Sequence, residues 1–165
     1  MDEVTTTDGG VLRPGEAGVT QSERDLLEAL LENIPDSVYF KDEQSRYILC
    51  SREVVRRLGL AGVGAVVGRT DADFLSVNCA ATTLEDERRI MRTGEPMIGV
   101  VEKDIRLTGQ INWVLTTKGP FRDKSGKIIG TFGISEEIPE WKRSEEALAD
   151  GRELLSVTLN WFGDM

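Results

Sequence analysis

Apolar residues along this chain alternate between two spacings, and each change of spacing marks an element. Leu26, Leu27, Leu30, Leu31 and Ile34 recur at the period of one helix face. Thr20-Gln-Ser-Glu23 ahead of them is a capping-box pattern, and Pro35 behind them pushes its predecessor out of helical geometry, so a helix is predicted over 21–34. Ser37–Lys41 and Arg46–Cys50 are short, β-rich runs around the polar turn Asp42–Ser45, the pattern of a hairpin. Arg52–Leu58 returns to helical spacing and closes at Gly59. Ala61–Gly68 reads as a glycine-spaced connector, and Thr70-Asp-Ala-Asp73 starts a short helical turn that directs Phe74 and Leu75 inward. Ala80–Arg92 is the longest internal helix, with Gly94 at the left-handed position that ends it.

Three strands follow, over Pro96–Leu107, Ile111–Phe121 and Lys127–Ile138, joined by turns at Thr108-Gly109 and Asp123-Lys-Ser-Gly126. In the second, Ile111, Trp113, Leu115 and Thr117 share a face; in the third, Ile128, Gly130, Phe132 and Ile134 do. A hairpin followed by a three-strand meander predicts an α+β fold: a five-stranded antiparallel sheet with short helices over one face and a flanking helix at each end.

The two ends have their own signatures. Residues 1–20 are rich in glycine and proline and poor in apolar residues, the composition of a disordered leader. Residues 140–165 are charge-rich and helical in pattern, with Trp141, Leu148, Leu155 and Phe162 at heptad spacing, flanked by Lys142, Arg143, Glu145, Glu146 and Arg152. That arrangement suits a parallel two-helix dimer seam, softened by Gly151 and Thr158; the alternative is a helix folded back on its own sheet. Ser22–Ser37 aligns without gaps on Asp150–Met165, matching at Arg24/Arg152, Leu26/Leu154, Leu27/Leu155, Leu31/Leu159 and Asp36/Asp164. A second copy of the same domain is therefore expected to begin where the chain stops. The expected organisation is a leader over 1–20, a flanking helix over 21–34, a core over 35–139 and a C-terminal helix over 140–165.

Composition narrows the chemistry. A formal net charge of −9 argues against nucleic acid or an anionic membrane as a direct partner. The absence of histidine removes histidine bases, Ser-His triads, most zinc sites and histidine-ligated haem. Cys50 and Cys79 lack metal-ligand spacing and are expected to be a reduced pair. No run approaches the ~20 apolar residues that span a bilayer, and the acidic N-terminus has no signal-peptide core. A cytoplasmic segment without membrane insertion is expected.

Ordered stretches of this chain resemble the PAS sensory-box family of bacterial signal-transduction proteins. They are LLENIPDSVYFKD, the connector VVGRTDADF, RTGEP, Trp113 followed by KGPFRDKSGKIIGTFGIS, and the closing EEIPEWKRSEEAL, together spanning roughly Leu26–Leu148. The resemblance implies a sensory, signal-input and dimerisation domain of a larger signalling protein, a histidine kinase or a cyclic-nucleotide signalling protein. The partners implied are a second copy of the chain and an output domain in the same parent chain. The closing motif of the family usually reads Asp-Ile-Thr; here Glu137, Ile138 and Pro139 take those positions, the acid lengthened and the hydroxyl lost, with proline favoured at a helix's first position. They are the expected signal relay.

The resemblance implies a cavity between sheet and helices, with Tyr39, Ile48, Leu58, Phe74, Ile98, Trp113, Leu115, Phe132 and Ile134 as the candidates to line it; the alternative is that they fill the core. Arg69 and Lys118 are placed to counter an anionic ligand. A small organic ligand fits this reading better than flavin or haem. In flavin-binding photosensory relatives an Asn-Cys pair sits in the connector, at positions matching Thr70 and Asp71; Asn78-Cys79 lies too far along and lacks the Arg-Phe-Leu-Gln that follows there. The carboxylates Asp71, Asp73, Glu85, Asp86 and Glu87 allow a metal or acid–base site, but read more simply as a charged helix start and a solvated face, so no metal is expected. Nothing pairs a nucleophile with a base, and an enzyme is not expected. The other reading is a constitutive dimerisation module without a small ligand.

Overall fold

The structure is a computed structural model that describes residues 20–139. Helix α1 spans Gln21–Asn33 and opens on the predicted capping box: the Thr20 hydroxyl accepts from the Glu23 N–H, and the Glu23 carboxylate accepts from the Thr20 N–H at 2.7 Å. It ends one residue short of the expected limit, because Ile34 before Pro35 is extended. Strands β1 (Ser37–Asp42) and β2 (Tyr47–Cys50) form the hairpin. Helix α2 spans Arg52–Leu58 and ends at Gly59 in the left-handed region. The connector holds two single 3₁₀ turns, Val63–Ala65 and Asp71–Asp73. Helix α3, Val77–Thr93, starts three residues earlier than the apolar period indicated, since the Ser76 side chain caps it by accepting from the Cys79 N–H. Strands β3 (Met97–Ile105), β4 (Ile111–Arg122) and β5 (Ile128–Glu137) make the meander.

The sheet is antiparallel in the order β2-β1-β5-β4-β3. β5 is inserted between the hairpin and the rest, so the last strand of the fold is central. Helices α2 and α3 and the connector cover one face, where Tyr39, Tyr47, Cys50, Val54, Val55, Val66 and Phe74 form the apolar core. This is the expected five-stranded α+β architecture.

The facing of the strands is the reverse of what the apolar pattern predicts. On β4 the buried series is Asn112, Val114, Thr116 and Lys118; on β5 it is Thr131, Gly133 and Ser135. Trp113, Leu115, Phe132 and Ile134 alternate with these and point to the opposite face, where Phe40 meets the Phe121 ring edge to face and the Phe132 ring at a tilt, at centroid distances of 5.2 and 6.0 Å. A period of two shows which residues share a face, and gives no direction when one side is apolar and the other charged. The charged side wins here because its charges find partners on the helices.

Candidate functional site

The covered face of the sheet carries an unusual load of ionisable groups. Lys41 on β1 is wholly buried, and its ammonium reaches Asp71 of the second 3₁₀ turn and Glu87 of α3, both at 2.6 Å. Tyr47 donates its hydroxyl to the other Asp71 oxygen at 2.6 Å. The ammonium also lies 5.1 and 4.5 Å from the ring centroids of Tyr39 and Tyr47, which meet edge to face at 5.6 Å. One lysine thus ties sheet, connector and long helix together. Burial, then the Asp71 charge, pushes both tyrosine hydroxyls well above their ordinary 10.0. Glu87 therefore corrects the expectation of a solvated face. It is 1% exposed, because α3 turns it toward Lys41. Asp73 does charge a helix start, accepting from the Thr70 N–H at 2.9 Å. Among the described residues no group of three or more Cys, Asp or Glu side chains is placed to hold a metal ion.

Further along the sheet, Lys118 on β4 donates to Glu102 on β3 at 2.8 Å and approaches Asp86 of α3 at 3.5 Å. Arg57 of α2 donates to the Ser37 hydroxyl at 3.0 Å; its remaining neighbours are Asp104 at 3.5 Å and Glu137 at 3.8 Å. Thr116 and Ser135 share a hydrogen bond of 3.0 Å across β4 and β5. These groups border a half-open cavity of about 70 Å³ between sheet and helices, lined by Tyr39, Tyr47, Val54, Arg57, Leu58, Asp71, Phe74, Glu102, Asp104, Arg106 and Lys118, among others. At about 10–15 Å³ for each water-sized group, such a volume holds on the order of five of them.

Of the residues expected to line a cavity, Tyr39, Leu58 and Phe74 do. Ile48, Ile98 and Ile134 are 44%, 73% and 40% exposed. Trp113, Leu115 and Phe132 lie on the far face, Trp113 beside a separate surface groove with Ile138 and Pro139. These six are corrected by the facing reversal of β4 and β5 and by the outward turn of Ile48 and Ile98. Lys118 borders the cavity as expected, whereas Arg69 is exposed and sits 6.0 Å from the Phe74 ring. Arg57, Arg106, Asp104 and Thr116 were not foreseen. For Asp104 and Thr116 the signal was polar residues alternating within strands, which normally marks the solvent side; Arg57 on α2 and Arg106 just past β3 carried no such signal.

At the exit of β5, Glu137 faces Arg57 and the Ile138 N–H donates to the Trp113 carbonyl at 2.9 Å, while Pro139 is exposed. The seam positions Trp141, Leu148, Leu155 and Phe162, the leader and the matching C-terminal segment lie outside the described residues. Cys50 and Cys79 are both free thiols, and burial pushes Cys50 up to about 11. No helix among the described residues is long and apolar enough to cross a membrane.

A five-stranded antiparallel sheet with this crossover, helices on one face and a polar cavity beneath them defines the PAS class of domain. The PAS fold family matches residues 31–143, and the chain belongs to that family. The aerobic respiration control sensor protein ArcB of Escherichia coli K12 is 25% identical over 128 residues, 78% of this chain and 16% of that protein, so the chain spans about one sixth of its length. VqmA bound to DPO is 25% identical with a TM-score of 0.61, over 68% of this chain and 57% of that one. The Vibrio cholerae VqmA dimer in the absence of target DNA is also 25% identical, with a TM-score of 0.62, over 70% and 51%. A PAS domain from Colwellia psychrerythraea, 13% identical with a TM-score of 0.59 over 70% of this chain and 96% of that one, shares the fold. Likeness to ArcB and VqmA supports a sensory signalling domain.

Proposed function

We propose that this domain is the signal-input and dimerisation module of a larger cytoplasmic signalling protein, in which a small ligand entering the cavity is reported to an output domain in the same parent chain. The observation that carries the reading is Arg57: it borders the cavity and stands 3.8 Å from Glu137, the last residue of the central strand. A ligand that engages Arg57 competes with Glu137 for the guanidinium. It thereby shifts the Glu137-Ile138-Pro139 exit that leads to the C-terminal helix. Such a ligand acts only as far as it binds one arrangement of that exit better than the other. VqmA, solved with DPO and as a dimer, supports both a small-molecule occupant and pairing of two copies. ArcB supports a sensor kinase as the parent class. We assign no catalytic step to this segment, and neither flavin nor haem to a cavity of about 70 Å³.

The competing reading is a constitutive dimerisation module. Native mass spectrometry of the freshly purified chain, with an absorbance scan over the visible range, separates the two. Extra mass in the native peaks, lost on denaturation, supports the sensor. A colourless apo dimer whose melting temperature responds to no small molecule supports the scaffold, and a monomer removes the dimer from both. Visible absorbance would bring back flavin or haem.

A further inference from the structure

We propose that the cavity selects a small zwitterion, an α-amino acid of about glycine to serine size, with its carboxylate on Arg57 and its ammonium on Asp104. The inference rests on the cavity being a ligand site. It starts from which lining charges are already satisfied. Asp71 is held by Lys41 and Tyr47, and Glu102 by Lys118, all at 2.8 Å or less. Asp104 is different: among the described residues it accepts no hydrogen bond, and its nearest cation is Arg57 at 3.5 Å. Burial, outweighing the pull of Arg57, holds the Asp104 carboxyl above its ordinary value, as expected for an acid lacking a close donor.

Arg57 is under-used in the same way. Its side chain is only 8% exposed, yet among the described residues Nη1 alone of its nitrogens has a hydrogen-bond acceptor, the Ser37 hydroxyl, and the buried Nε has none. A buried donor left without a partner is costly and rare, so the unpartnered Arg57 Nε, with the loosely paired and 29% exposed Asp104 carboxylate beside the same guanidinium, marks a place for a molecule that satisfies both.

Charge selects among such molecules. Around this corner Arg57 and Arg106 balance Asp104 and Glu137. A carboxylic acid anion would leave one negative charge in excess at this corner, and an amine would leave one positive charge. A zwitterion adds none while supplying an acceptor and a donor a few ångströms apart. The volume fits an amino acid of about five to seven heavy atoms. Val54, Leu58, Leu75 and Val114 also line the cavity and offer contact for a short side chain.

The test titrates the full chain with glycine, L-alanine and L-serine by calorimetry and thermal shift, beside propionate, ethylammonium and acetamide. A zwitterion at about 100 times its Kd should raise the melting temperature by on the order of 10 °C, with the single-charge and neutral compounds at least about 10-fold weaker. Arg57→Gln and Asp104→Asn should each weaken zwitterion binding by about 10-fold or more, and Arg57→Lys by less. Comparing ligands on the unaltered protein keeps the test decisive if a variant misfolds. Equal or better binding of acetamide, propionate or ethylammonium overturns the zwitterion and leaves the sensory cavity standing. Zwitterion binding indifferent to both folded variants places the ligand elsewhere and overturns the assignment. No response to any compound, with no co-purified mass, removes the ligand site itself.

Discussion

Replacing Lys41 with methionine tests the polar core most directly. The side chain keeps its length and loses its charge, leaving the Asp71 and Glu87 oxygens that now sit 2.6 Å from the ammonium without their shared cation. Asp71 retains the Tyr47 hydroxyl; Glu87 retains little. Breaking a buried ion pair by deleting one partner costs about 3–5 kcal/mol, because the surviving charge stays buried. For a domain of this size, roughly 3–5 °C of melting temperature accompany each kcal/mol, so Lys41→Met should melt about 10–20 °C below the parent at pH 7. The pH dependence sharpens the test. In the parent, burial raises Glu87 above its ordinary 4.5, Lys41 pulls it down, and Asp71 pushes it up again. A carboxyl with a raised native pKa contributes stability at pH below 4.5 that is lost as pH rises through the native value. Deleting Lys41 removes the downward pull, so Glu87 keeps its proton to higher pH. The deficit of the variant should therefore shrink between pH 7 and pH 5, by up to about 1.4 kcal/mol per unit. Glu87→Gln, which keeps an acceptor for Lys41 and drops the surplus charge, should cost about 1 kcal/mol or less. Urea denaturation at both pH values decides it. A Lys41→Met loss under about 1 kcal/mol, equal at pH 5 and pH 7, would refute the reasoning.

Other consequences follow from the same interior. The chain has two tyrosines, Tyr39 and Tyr47, both held well above 10.0 by burial and then by Asp71. Lys41 is also raised, since Asp71 and Glu87 together outweigh burial. The stability these groups contribute is complete below about pH 10 and falls as pH climbs further. Phenolate absorbance should therefore appear only together with loss of the near-ultraviolet circular dichroism signal, and a tyrosine titrating near pH 10 in folded protein would contradict their burial. A methyl group on Gly133 would overlap the Tyr39 ring, so Gly133→Ala should cost about 1–3 kcal/mol and narrow the cavity; an unchanged denaturation midpoint speaks against that packing. Cys79 is half-buried and Cys50 is 2% exposed with its thiol at about 11, so a thiol reagent at pH 8 should label Cys79 fast and Cys50 only through opening. Two equally fast phases would rule that out.

The elements were legible because local rules govern them: Thr20 with Glu23 begins α1, Pro35 stops it, Gly59 and Gly94 end α2 and α3, and polar turns separate the strands. Their order implies an antiparallel sheet, and the ordered motifs by themselves carry the resemblance to PAS domains. Those signals act over a few residues and survive in a linear reading. The side of the sheet that would be interior did not. Ile111, Trp113 and Leu115 form the apolar side of β4, yet Val114, Thr116 and Lys118 are the side beneath the helices. A buried lysine is affordable only with carboxylates from elsewhere, here Asp86 for Lys118, and Asp71 and Glu87 for Lys41, 30 and 46 residues along the chain. Alternation along one strand cannot register a partner delivered by a distant helix. The class of domain was thus written in local spacing, whereas the facing of its sheet, and the charged cavity with Arg57 and Asp104 in its wall, arose from long-range pairing of charges that are unfavourable to bury singly.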